Sequence, residues 1–293
     1  MNETKAIINF GDLSKPANTL IEKISDAIGG IYKPYQIRKV AQAEADAERI
    51  RAVSQIEITE LQKRALQRFM IEEAKRQNNI ESITSKALPQ VSDQASPDKV
   101  EDDWITNFFD KCRLISDEEM QSLWAKVLAG EANSPGKYSK RTVNLLASLD
   151  KTDADLFSKL CDFAVVIGDF MPLIYDVDAS IYTNHQIDFA SLSHLESIGL
   201  ITFNSLTGYV RRGLKQKGNI FYYGQNLWIE FTQPNTSNQF EMQVGYVFLT
   251  KAGQELAAIC GSKAIDGFPE YVKEKWKGFG YKTDMQSFNQ SHQ

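Results

Sequence analysis

Catalysis or metal binding needs nucleophiles, bases or ligands at spacings that bring them together, and in this sequence such residues are scattered. The histidines His185, His194 and His292 have no second ligand-type residue at helical or hairpin spacing, which argues against a zinc or iron site. Cys112, Cys161 and Cys260 lie far apart, each within an apolar run, and read as reduced core thiols, not as a disulfide framework or a zinc knuckle. There is no glycine-rich phosphate loop, nucleophile elbow or paired-carboxylate motif. Asp117, Glu118 and Glu119 are explained as a helix start and Glu131 as a helix end. Nothing near His194 in the sequence would orient it as a general base, so it reads as a surface residue. The expectation is a non-enzymatic protein with no cofactor, no metal and no small-molecule substrate.

One cluster is suited to binding. Arg211, Arg212, Lys215 and Lys217 occur close together, flanked by Tyr209, Phe221, Tyr222 and Tyr223. Cations beside aromatic rings can grip phosphates or stack on unpaired bases, with Tyr209 and Tyr222 as the candidate rings. The plainer reading is a solvated hairpin tip. A net charge of -5 and a pI near 5.4 exclude a protein that coats nucleic acid through a general cationic excess.

The elements that would carry these residues follow from periodicity. Leu20, Ile21, Ile24, Ala27, Ile28 and Ile31 form one helical stripe, which Gly29, Gly30 and Pro34 interrupt. From Pro34 to Gln77 there is no further Gly or Pro, and the composition predicts one arm about 60 Å long at about 1.5 Å per residue. Its stripe is thin: Ala43, Ala47 and Ile50, then Ile58, Leu61, Ala65, Leu66 and Phe69. Such a helix gains its stability by packing on another, which makes Ile50, Ile58, Leu61, Ala65 and Phe69 the candidate self-association residues.

Residues 1–85 are thus an amphipathic helix plus the arm, and the proline-containing stretch 86–99 reads as a linker. A helical bundle is expected over 100–149. Trp104, Ile105, Phe108, Phe109 and Cys112 make its first stripe. Met120, Leu123, Trp124, Val127 and Leu128 make the second, opened by a Ser116 and Glu119 capping box, and Ser139 caps a third helix.

Over 150–261 the period changes. Thr152, with Asp155 three residues on, opens a helix whose Leu156, Phe157, Leu160, Phe163, Ala164 and Ile167 face inward. The segments IYTNHQI, GLITFNS, NIFYYG and LWIEFTQ carry strand signals. In ASLSHLESIGLITF a helix bearing Leu192, Leu195 and Ile198 is stopped by Gly199 and runs into a strand, and VGYVFLTKAGQELAAI gives a strand, Thr250 as a cap and a helix. These pieces resemble the winged-helix pattern, in which a leucine-rich third helix ends in Gly-Leu-Ile and a Leu-Thr-x-x-Gly turn follows the wing. Residues 169–188 show no clear second helix, and the wing, 206–246, is several times longer than a minimal hairpin. The third helix carries Asp188, Ser191, Ser193, His194, Glu196 and Ser197, the wrong charge for reading a major groove. Residues 262–293 read as a C-terminal helix and polar tail. The expected class is therefore α+β, mostly α: a long N-terminal helical arm, a central helical bundle and a C-terminal winged-helix-like α/β module with an extended wing.

The run DDWITNFFDKCRLISDEEMQSLWAKVLAGEANSPGKYSKRTVNLLASLDKTDADLF resembles a bacterial family catalogued as domain of unknown function 2806, and IGGIYKPYQIRKVAQAEADAERIRA is similar to its upstream portion. The resemblance implies no activity, cofactor or substrate. The arm followed by an acidic helix of LWAKVLAGE character is also similar to the alpha-type abortive-infection proteins.

The sequence thus predicts an interaction or regulatory protein that self-associates through the arm as a homo-oligomer. It would bind a protein or nucleic-acid partner through the bundle and the winged-helix-like module. Two other readings stand beside this one: a phage-defence effector at the membrane surface, suggested by the stretch Leu13 to Ile31, and a nucleic-acid binder using the basic wing. No stretch approaches the roughly 18 apolar residues of a spanning helix, and the start MNETKAIINF lacks signal-peptide order, so the expected location is the cytoplasm.

Overall fold

Thr59 starts a helix in the middle of the segment expected to form one continuous arm. Its backbone is extended (φ -67°, ψ 158°), its hydroxyl accepts from the Gln62 N–H, and the Gln62 side chain accepts from the Thr59 N–H at 2.8 Å. This reciprocal capping box gives two otherwise orphaned donors a partner. The computed structural model describes residues 13–28, 59–234 and 239–286; Ile50 and Ile58 lie outside them. Helix α1, Lys15–Ile28, precedes the gap, and α2, Glu60–Ala87, follows it, running ten residues beyond the predicted end at Gln77. The fold is α+β with more helix than strand, in two compact units, Met1–Ala147 and Ser148–Gln293.

In the first unit α1 buries Ala17, Leu20, Ile21 and Ile24, and packs on α3, Asp102–Cys112. The C-terminal part of α2 inserts Ile80, Ile83 and Ala87 beside α4, Glu118–Asn133. The stretch read as a linker is packed instead. Leu88, Val91 and Pro97 are buried, two prolines begin 3-10 turns, and Asn133 both accepts from the Ser92 N–H (2.8 Å) and donates to the Gln90 carbonyl (2.9 Å). The cap of α4 is Asp117, which accepts from the N–H groups of Glu119 and Met120, while Ser116 accepts from Asn79. Ser139 caps α5, Lys140–Leu146, as expected.

Trp104, Phe108 and Trp124 form an aromatic centre with ring spacings of 5.1 Å. Against it lies the Tyr138 ring, so close to α4 that a Cβ on Gly130 would sit 2.6 Å from a ring carbon. The buried Glu131 carboxylate accepts from the N–H groups of Gly136 (2.6 Å) and Tyr138 (2.8 Å), which folds the NSPGKY loop under the helix that precedes it.

The second unit opens with α6, Lys151–Cys161, capped by Asp150 with Asp153, not by Thr152 with Asp155. It ends before Ala164 because the β-branched run that follows prefers a strand. That run is β1, Ala164–Ile167, paired with β2, Asp169–Pro172. IYTNHQI is not a strand: the one-turn helix α7, Ser180–Thr183, occupies it. Then come α8, Phe189–Ser197; β3, Ile201–Phe203; β4, Tyr209–Leu214; β5, Lys217–Tyr222; β6, Gln225–Glu230; β7, Phe240–Gly245; and β8, Val247–Leu249. Helices α9, Lys251–Ala257, and α10, Phe268–Gly278, lead to β9, Lys282–Gln286, in place of an entirely polar tail.

Strands β3 and β8 pair antiparallel, as do β4 and β7 farther out. The tip of this long excursion returns as β5 and β6, which join a sheet of order β2-β1-β5-β6-β9. The two halves of the Gly-Leu-Ile and Leu-Thr-x-x-Gly pattern meet at Leu200. Its carbonyl accepts from the Thr250 N–H (3.1 Å), and the Thr250 hydroxyl donates to the Gly199 carbonyl (2.8 Å). A Cβ on Gly253 would lie 2.1 Å from the Leu200 oxygen.

Alanine at either close-packed glycine should destabilise its unit by different amounts. At Gly130 the ring edge can give, and overpacking is offset by about 1 kcal/mol of helix propensity, leaving a net cost of about 1 kcal/mol. At Gly253 the obstacle is backbone, and the cost should be about 3 kcal/mol or more. Urea unfolding of the two variants should rank them in that order; equal midpoints would show that the approach at Leu200 is not limiting.

Candidate functional site

Three of the four wing cations stand beside acidic side chains. Gly213 (φ 75°) lies in the irregular stretch of β4 between Arg211 and Leu214, and Arg211 and Arg212, as successive strand residues, point to opposite faces. Arg211 pairs with Asp169 at 3.7 Å, and Arg212 with Glu241 at 3.2 Å. Lys217 pairs with Glu230 at 3.7 Å and lies over the Trp228 ring. Lys215 is exposed. Of the two candidate rings, Tyr209 leans on Phe248, and Tyr222 is buried, donating to the Asp162 carbonyl at 2.9 Å. Tyr222 is therefore a core residue, because the β5–β6 return folds it under α10, where it packs on Phe268.

The titratable residues group in ways their spacing concealed. His194 Nε2 lies 2.7 Å from Asp153 Oδ1, and the other Asp153 oxygen accepts from the Asp150 N–H at 3.0 Å. Burial raises the Asp153 carboxyl, but the hydrogen bonds from His194 and Asp150 outweigh it and hold the group below the usual carboxylate range. This ties α8 to the start of α6. His185 packs edge-on against Phe163 and reaches the Ile181 carbonyl with Nδ1, while His292 lies outside the described residues. Among the described residues no cluster of three metal-ligating side chains occurs. Cys161 and Cys260 are neighbours whose thiols act on each other, whereas Cys112 is buried in the first unit.

A run of exposed apolar side chains lies on α2. Leu61 (68% exposed), Leu66, Phe69 (59%), Met70 and Ile71 are all open, and among the described residues none from Thr59 to Lys75 is covered. Leu61, Ala65, Leu66 and Phe69 fall at helical spacing. About three turns separate Phe69 from Ile80, so this stripe continues the one that enters the core through Ile80, Ile83 and Ala87. Leu61, Ala65 and Phe69 are thus brought onto one bare face. Leu66 adjoins it, and Met70 beside Leu66 broadens it. By contrast, Ala17, Leu20, Ile21 and Ile24 of the α1 stripe are taken up by packing; Ala27 and Ile28 are half-buried, and Ile31 lies outside the described residues.

Residues 63–273 match the family described as Protein of unknown function (DUF2806). The chain belongs to this family. No curated protein and no solved structure matches it. The DUF2806 match spans both units and begins at Lys63, inside the bare part of α2, so Leu66 to Ile71 belong to the family's own domain. No described helix is long and apolar enough to cross a membrane.

Two outcomes follow from this geometry. The depressed Asp153 carboxyl contributes stability that is present above its unfolded value of about 4 and is lost as pH falls through the lower folded value. Asp153→Asn should therefore cost about 1 kcal/mol at neutral pH and nothing near pH ~2. A gap to wild type that persists in acid, by urea unfolding, would assign the loss to packing. For the wing, alanine at Arg211, Arg212, Lys215 and Lys217 together should leave nucleic-acid affinity and its salt slope unchanged in a filter-binding titration. A slope flattened by about 0.9 per residue would mark phosphate contacts instead.

Proposed function

We propose that this DUF2806 protein is a non-enzymatic interaction protein that pairs with a second copy of itself through the bare half of α2. The observation that carries this reading is the continuous stripe: half of it is buried, and the other half exposes Leu61 and Phe69, with Leu66 and Met70 beside them. Exposed apolar runs of this kind mark association surfaces.

Charge argues for a second copy as the occupant and for its direction. Lys63, Arg64 and Arg68 precede Glu72 and Glu73 along α2. An antiparallel partner lays the cationic stretch of one helix along the anionic pair of the other, whereas a parallel one sets like against like. A two-fold pairing of this kind uses the same surface on both copies and closes on itself. The ion pairs within α2, such as Lys63 with Glu60 at 2.9 Å, are exposed and exchange at little cost.

In the same reading the second unit is a winged-helix derivative in which the wing has become a sheet. Supporting it are the order helix, strand, short helix, helix, strand, long wing, strand, and the Leu200 junction with Thr250. The acidic and serine surface of α8 favours a protein over a DNA groove as its partner.

Light scattering of the full chain at micromolar concentration should give a dimer. Leu66→Glu with Phe69→Glu should weaken association at least roughly 100-fold, since each lost contact is felt twice across the two-fold. The helical signal should be retained. A monomeric wild-type chain would mean that the stripe is covered by the chain's own residues, and the reading would fall.

A further inference from the structure

Cys161 is the last residue of α6 and is wholly buried; Cys260 lies three residues past the end of α9 and is half-buried. The two positions are held together from several sides. The Lys263 N–H donates to the Asp162 carboxylate, and the Ile265 N–H donates to the Tyr222 hydroxyl at 2.7 Å. That hydroxyl donates to the Asp162 carbonyl at 2.9 Å, and Tyr223 donates to the Cys161 carbonyl at 3.2 Å. The segment after Cys260 is thus strapped across the end of α6, which brings the two thiols close enough to act on each other, while the Cys260 thiol donates to the Ala257 carbonyl at 3.3 Å.

Their surroundings make them unlike. Hydrogen bonding from the Cys161 thiol, and then from the backbone and side chain of Ser262 and the side chain of Ser158, outweighs burial and brings the Cys260 thiol down to about 7. Burial pushes the Cys161 thiol well up. A nucleophilic, reachable sulfur therefore stands beside a protonated, sheltered one, the division of labour that disulfide formation requires.

We propose that Cys161 and Cys260 are an oxidisable dithiol that hydrogen peroxide converts to an intramolecular disulfide. The Cys260 thiolate attacks one peroxide oxygen, the O–O bond breaks, and the departing hydroxide takes a proton to leave as water, giving a sulfenic acid. The Cys161 sulfur then attacks the Cys260 sulfur, the S–O bond breaks, and the thiol proton leaves with the hydroxide as a second water. Two thiols and one peroxide thus give one disulfide and two waters. A purely structural reading, small apolar fillers, fits Cys112 equally well and serves as the internal control.

The test is peroxide treatment of the full chain without reductant, followed by alkylation under denaturing conditions and peptide mapping. The expected product has lost two hydrogens, links the Cys161 and Cys260 peptides, leaves Cys112 alkylatable and is reversed by dithiothreitol. Its rate should rise with the Cys260 thiolate, half-maximal near pH 7. Cys161→Ser should stop at a sulfenic acid that dimedone traps on Cys260, and Cys260→Ser should abolish the reaction. Three alkylatable thiols after treatment of the wild-type chain, or oxidation of Cys260 without linkage to Cys161, would overturn the assignment. Mapping the wild-type chain decides the matter even where a variant folds poorly.

Discussion

A straight helix cannot turn its apolar stripe on and off, and that constraint governs α2. Ile80, Ile83 and Ala87 must face α4 to complete the core of the first unit, which fixes the rotation of the whole helix. Leu61, Ala65 and Phe69 then present themselves on the same side, turns away from that core. Buried polar contacts hold the rotation as firmly as the apolar ones. Asn79 donates to the Arg113 carbonyl (2.9 Å), and Gln121 donates to the Ile115 carbonyl (2.9 Å) while accepting from Ser82 (2.7 Å) and Lys86 (2.8 Å). A slide or roll of α2 would break the Asn79, Ser82 and Lys86 contacts at about 1–3 kcal/mol for each buried group left unpaired, so the bare half points where the buried half dictates.

The second unit meets a different constraint. Its excursion between β3 and β8 is too long to stand as a hairpin alone, since isolated two-stranded ribbons are marginal in water. Returning as β5 and β6 against β1 gives Ile220, Leu227 and Ile229 a core, and the same return buries Tyr222 and sets Glu230 beside Lys217. Of the residues that looked most like a nucleic-acid surface, Tyr222 is spent on the core, and Arg211, Arg212 and Lys217 stand beside carboxylates. A Tyr175 hydroxyl that donates to the Gln243 carbonyl (3.0 Å) and accepts from Trp276 (2.8 Å) ties β7 to α10 and completes the enclosure.

Much of this was legible because it is local. The caps at Ser139 and Thr250, the glycine stop at Gly199, the strands at NIFYYG and LWIEFTQ, and the thin stripe of Leu61, Ala65 and Phe69 all depend on residues within a turn or two of one another. The start at Thr59 was also written locally, as Thr-x-x-Gln, but a long run of good helix formers hid it. The helix expected to reach Ile167 fails because an apolar run can serve either period, and only the sheet partner of Val166, Phe221, decides. What could not be read is non-local. Cys161 with Cys260 and Asp153 with His194 are contacts between elements that the chain brings together only on folding. No spacing rule reaches across them.

The family resemblance itself rests largely on residues that the scaffold consumes. In LWAKVLAGE, Trp124 fills the aromatic centre, Gly130 admits the Tyr138 ring and Glu131 ties down the NSPGKY loop. Side chains with such duties are not free to hold a partner as well. What the scaffold leaves unspent is therefore more telling than what it resembles. An apolar stretch on α2 costs solubility, and a half-buried thiol held against a second one risks oxidation; neither is needed to complete a core. These two features lie in different units and use different chemistry.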